Sequence, residues 1–131
     1  MNAARLVLLA GVVALPPAPA PAAGAAADPC VAHADALLGA LGRHDYAAAA
    51  REMDAHMRQI SFPRQLPDLW DSLVGDSGFG AYLSHGDPTV VRNEDGSTTV
   101  QVPLRFARFT PTGWLTCDPV QGEGVDSFDL H

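Results

Sequence analysis

The sequence predicts an α+β domain, with N-terminal helices packed on an antiparallel sheet. Two observations carry that reading. Apolar residues recur at helical spacing through the first half of the chain, to about Val74. From Phe79 onward the pattern changes to short β-rich runs divided by Gly, Pro and Asp-Gly turns. Helices followed by a run of strands is the α+β order. A third observation bounds the domain. Arg5 is the lone charge before the apolar run Leu6–Leu15, and Ala25-Ala26-Ala27 stands directly before Asp28. A basic start, a short apolar run and small residues at a cleavage point read as a secretory signal peptide. Residues 1–27 are therefore expected to be removed, leaving residues 28–131 as one domain, secreted or periplasmic.

The elements follow in order. Residues 29–42 read as a helix, with Asp28 as N-cap, Pro29 at the first helical position and Gly42 as its stop. Cys30, Ala34, Leu37, Leu38 and Leu41 share one face. Residues 45–60 read as a second helix capped by Asp45. Its apolar stripe is Tyr46, Ala50, Met53, Met57 and Ile60, and Arg51, Glu52, Asp54 and Arg58 fall on the opposite, solvated side. A short third helix starts at Pro67 and carries Leu66, Leu69, Trp70, Leu73 and Val74 on one side. Strand-like runs follow at 79–85, 89–93, 98–108, 114–118 and 125–130. The third is the clearest, because Val100, Val102, Leu104 and Phe106 alternate with Gln101, Pro103 and Arg105. Pro103 cannot donate to a ladder, so an edge or bulge is expected beside it.

Charge narrows the function classes. The chain has 8 basic and 15 acidic residues and no lysine. Loss of Arg5 with the leader gives 7 − 15 = −8 for the mature chain. That argues against nucleic acid and against anionic lipid as partners. No second apolar run is long enough to span a membrane. Pro29 precedes Cys30 where lipid attachment would need a small residue, so a freely released protein is expected. Cys30 and Cys117 are the only cysteines. An even count in an exported chain favours a disulfide, with two buried free thiols as the alternative. Cys30 falls on the apolar helix face and Cys117 shares a strand face with Leu115, so a bridge would staple helix to sheet.

Four strings carry a family resemblance: Ala36-Leu-Leu-Gly-Ala-Leu-Gly-Arg-His-Asp-Tyr46, Leu66-Pro-Asp-Leu-Trp70, Gly78-Phe-Gly-Ala-Tyr82 and Val100-Gln-Val-Pro-Leu-Arg-Phe106. In order and spacing they resemble the nuclear transport factor 2-like superfold, and within it a bacterial exported domain of unknown function 3887. The resemblance implies a cone, in which a curved sheet wraps against helices and leaves a pocket at its open end. It also makes a homodimer through the sheet plausible. The superfold hosts isomerases, dehydratases and many non-enzymatic binders, so fold alone decides little. The family often continues into an α/β-hydrolase domain, but no G-x-S-x-G elbow occurs here and no hydrolase activity carries over. The chain departs from the family pattern after Arg108, at Pro111-Thr-Gly113 and Cys117-Asp-Pro119.

Chemistry is sparse. His33, His44, His56, His85 and His131 lie far apart, without the close spacing of a zinc pair, so no metal is expected. Isomerase chemistry would need a carboxylate base in an apolar cavity, with a Tyr or protonated Asp donor. Tyr46 and Tyr82 offer phenols, but Asp54, Asp68 and Asp71 read as solvated helix charges. Gly75–Gly80 lacks the lysine or glycine order of a phosphate loop. The remaining candidates to line a pocket are Met53, Met57, Trp70, Tyr82, Phe106 and Trp114. The expectation is a binding domain for an unknown small ligand or protein, with no catalytic set and no cofactor. The alternative is an isomerase or dehydratase working through a buried carboxylate.

Overall fold

The structure, a computed structural model, describes Gly11 and residues 28–131. The signal-peptide reading thus falls, Gly11 apart, outside the described residues. Among the described residues, four helices precede five strands: α1 (Pro29–Gly42), α2 (Tyr46–Arg51), α3 (Ala55–Ser61), α4 (Gln65–Val74), β1 (Tyr82–His85), β2 (Thr89–Arg92), β3 (Thr98–Phe106), β4 (Thr112–Cys117) and β5 (Ser127–Leu130). The helices pack on a curled, unclosed antiparallel sheet, which is the expected α+β architecture. No described helix is long and apolar enough to cross a membrane.

The first helix forms as its sequence dictates. Asp28 accepts from Cys30 N at 2.8 Å, and Pro29 occupies the first turn, where its missing N–H is not needed. All five residues of its apolar stripe are buried. His44, at φ 55°, reverses the chain, and Asp45 caps α2 through Ala48 N.

The stretch 45–60 is not one helix, and this corrects the expected stripe. It breaks at Glu52–Asp54, where Met53 forms a parallel bridge with Val125. Val125 N donates to Glu52 O at 2.8 Å, and Asp54 N donates to Val125 O at 3.0 Å. These bonds to a distant segment replace two helical ones. Asp54 then turns extended and caps α3 through Met57 N at 2.8 Å. As a result Asp54, expected on the solvated side, is only 2% exposed, while Ile60 from the apolar stripe is 53% exposed. α4 begins at Gln65, two residues before the expected start, with Pro67 still in its first turn.

Strand β3 organises the sheet. Its one edge pairs β4 over Thr98–Pro103, and β5 extends the sheet beyond β4. Its other edge takes two short strands in succession, β2 against Thr98–Gln101 and β1 against Leu104–Phe106. Pro103 stands opposite the interval between them, Gly86–Pro88, and accepts from Gly86 N at 2.9 Å. A residue with no donor sits where the ladder has a gap, as its chemistry requires. Val100, Val102, Leu104 and Phe106 point to the helices, and Leu115 continues that face on β4. Cys117 shares the face and is bonded to Cys30, with a Cα–Cα distance of 5.8 Å.

Candidate functional site

The six residues expected to line a pocket do not converge on one. Trp70 and Phe106 are buried, with ring centroids 5.7 Å apart, and Tyr82 packs against both at 5.4 Å. These three rings fill the layer between α4 and the sheet. Met53 is buried beside the Val125 bridge. Met57 and Trp70 instead back an apolar groove between α3, α4 and β5. Trp114 lies on the outer face of the sheet, opposite Gln101, with its ring 4.3 Å from that of His131. Strand alternation puts Trp114 and Leu115 on opposite faces, and Leu115 takes the core.

The glycine-rich loop after α4 has a structural account. Arg108 Nη2 donates to the carbonyls of Gly75, Asp76 and Gly78 at 3.0, 2.6 and 3.0 Å. The loop aims carbonyls at a cation, the reverse of a phosphate cradle.

Polar groups and an apolar cavity meet elsewhere, between α1 and the β1–β2 interval. The cavity holds about 360 Å³, and Ala34, Leu38, Val100 and Val102 form its apolar wall. That volume lies within the common range for ligand pockets, about 300–1,000 Å³. Asp35, His85 and Asp87 stand on its polar side. His85 is held at both ring nitrogens: Nδ1 is 2.7 Å from the Tyr82 hydroxyl and Nε2 is 2.6 Å from Asp35 Oδ1.

Burial and then the charge of Asp35 push the Tyr82 hydroxyl up to about 12. Tyr82 therefore keeps its proton through the neutral range and shares a hydrogen bond with Nδ1. Nε2 donates to Asp35, since a carboxylate only accepts. The chain runs from phenol to imidazole to carboxylate and ends on a side chain that is 72% exposed. With both His85 nitrogens engaged, Asp35 is the group left to meet a ligand. Asp87, also exposed, adds a second carboxylate at the same opening.

Sequence reasoning missed Asp35 and His85. They lie 50 residues apart, and no local pattern joins them. A register shift between Tyr82 and Ser84 brings Tyr82 and His85 to one face, where plain alternation would separate residues three apart. A metal cluster was not expected either, yet Asp54, His56 and Asp126 bring one potential ligand atom each within 4.8 Å of one another. A wider cleft of about 510 Å³ lies at the disulfide end. Its buried carboxylate, Asp28, is spent on Cys30 N and on Arg92 at 3.1 Å. No protein-family model, curated protein or solved structure matches this chain.

Proposed function

We propose that this is an exported, non-catalytic binding domain of nuclear transport factor 2-like form. Its cavity between α1 and the β1–β2 interval takes a small ligand with an apolar body and a cationic or hydrogen-bond-donating group. The observation that carries this reading is the pairing of an apolar wall with the exposed Asp35 carboxylate. An amine seated there would place its alkyl or aryl part on Leu38, Val100 and Val102 and its charge on Asp35, with Asp87 adding to the field. The leader-like residues 1–27 and the Cys30–Cys117 bridge support export. The helices on a curled sheet support the cone.

The isomerase or dehydratase alternative asks for a buried carboxylate inside the ligand cavity. Asp54 and Asp28 are the buried carboxylates among the described residues, and neither lines this one. That favours binding over catalysis.

A thermal-shift screen of residues 28–131 against hydrophobic amines, their neutral isosteres and matched carboxylates tests the reading, with native mass spectrometry as a second readout. Amines should raise Tm and add one ligand per chain. Asp35→Asn should abolish the preference for amines, and Ala32→Trp, which fills the cavity mouth from an exposed helix position, should abolish binding. Bare protein with an unmoved Tm across all three classes would overturn it.

A further inference from the structure

Asp54 is a buried carboxylate whose surroundings the cavity reading leaves unexplained. Its Oδ1 accepts from Met57 N at 2.8 Å, but its Oδ2 is buried without a hydrogen-bond partner. An orphaned buried acceptor costs about 1–3 kcal/mol, and more when charged. The group it faces is a second carboxylate, Asp126, and two ionised carboxylates this close repel each other. Arg58, one helical turn on, does not help, since its Nη1 donates to Met53 O at 2.8 Å. His56 completes the cluster, its Nδ1 3.1 Å from Asp126 Oδ1.

We propose that Asp54, His56 and Asp126 form a binding site for one divalent transition-metal ion of the zinc or manganese class. Three arguments support it. The donor set of two carboxylates and one imidazole suits such ions, whereas calcium and magnesium prefer all-oxygen sites. Both carboxylates are placed by backbone bonds that exist without any ion: Asp54 N to Val125 O at 3.0 Å, and Asp126 N to Thr116 O at 2.7 Å. The backbone beneath both carboxylates is therefore fixed before any ion binds. It is also reachable, because His56 is exposed and Asp126 is half-buried while Asp54 forms the floor. A cation there would satisfy the orphaned oxygen and cancel the carboxylate repulsion in one step. Three protein ligands leave at least one position on the ion for water.

The proposal is independent of the cavity reading, because none of the three residues lines that cavity. Its test is titration of the chelator-treated, disulfide-bonded protein with zinc or manganese chloride, by calorimetry and by native mass spectrometry. One ion should bind per chain and raise Tm. Loss of even an outer partner costs metal sites about 10- to 100-fold in affinity. His56→Ala and Asp126→Asn should therefore each weaken binding by at least about tenfold. Both change side chains at the rim, and circular dichroism checks that each variant keeps its fold. His33→Ala, which removes the separate His33–Glu52 pair, should leave the affinity unchanged. Failure of both metals to bind would overturn the proposal. So would binding that His33→Ala abolishes, or that survives both rim variants.

Discussion

Tyr82 and His85 lie on one face of β1, their phenol oxygen and Nδ1 2.7 Å apart, because the register slips between Tyr82 and Ser84. The slip turns His85 toward α1, where Asp35 closes the chain of hydrogen bonds. A strand irregularity thereby decides which polar groups reach the cavity.

The two tyrosines should titrate late. Burial and Asp35 hold Tyr82 up at about 12, and burial with the 2.5 Å bond to Asp71 raises Tyr46 further. A phenol whose folded pKa exceeds its unfolded value, about 10, adds stability that is full below pH 10 and lost as pH rises toward the folded value. Tyrosinate absorbance should be nearly absent at the pH that half-ionises the urea-unfolded chain. Tyr46→Phe should leave a single step near the Tyr82 value, and Asp35→Asn should move that step down. Ionisation of the native protein near 10 would contradict the arrangement.

Removing the Cys30–Cys117 bridge should be costly. It spans 87 residues in sequence, and closing a loop of that length is worth about 4–5 kcal/mol in the chain-entropy treatment. The double variant Cys30→Ala/Cys117→Ala should lose most of that in urea unfolding. A loss under about 1 kcal/mol would mean the unfolded chain is already compact.

The two tryptophans should behave as opposites. Trp70 is 1% exposed, and Trp70→Ala should cost about 3–5 kcal/mol. Trp114 is 38% exposed, and Trp114→Ala should stay within about 1 kcal/mol. Trp114→Phe leaves one buried emitter and should fluoresce to the blue of Trp70→Phe, which leaves the exposed one.

Gly124 has no room for a side chain. It sits at φ +110°, and a Cβ would fall 2.8 Å from the Met53 carbonyl carbon and 2.9 Å from Asp54 N and Glu52 O. All three are backbone atoms and cannot rotate away. Gly124→Ala should cost about 2 kcal/mol or more and loosen the Met53–Val125 bridge. Gly96, at φ +89° with nothing within 4 Å, isolates the conformational part, and Gly96→Ala should cost about 1–2 kcal/mol. Equal losses in thermal unfolding would show that the close approach at Gly124 is unimportant.

What could be read from the sequence was what local chemistry controls. α1 runs from Pro29 to Gly42 as expected, because cap, stripe and stop all lie within it. β3 follows from its alternation, and Pro103 marks the gap beside it. The disulfide followed from two face assignments and an even count. What stayed hidden depends on partners far along the chain. Met53 leaves its helix for Val125, 72 residues on, and nothing between residues 45 and 60 announces it. Asp54 is buried by the same event. Asp35 and His85 meet through a register slip that alternation cannot express.

The covalent ring closed at Cys30 and Cys117 also governs how the domain responds to force. A pull between residue 28 and His131 is borne by the sulfur bridge, so the helices and β1–β4 inside the ring feel tension only where the tail is bonded to them, at β4 and at the Met53–Val125 bridge. On the C-terminal side the 14 residues from Asp118 to His131 can be drawn out, a length of at most about 50 Å. Strand β5 lies in that tail, and it would peel from β4 first.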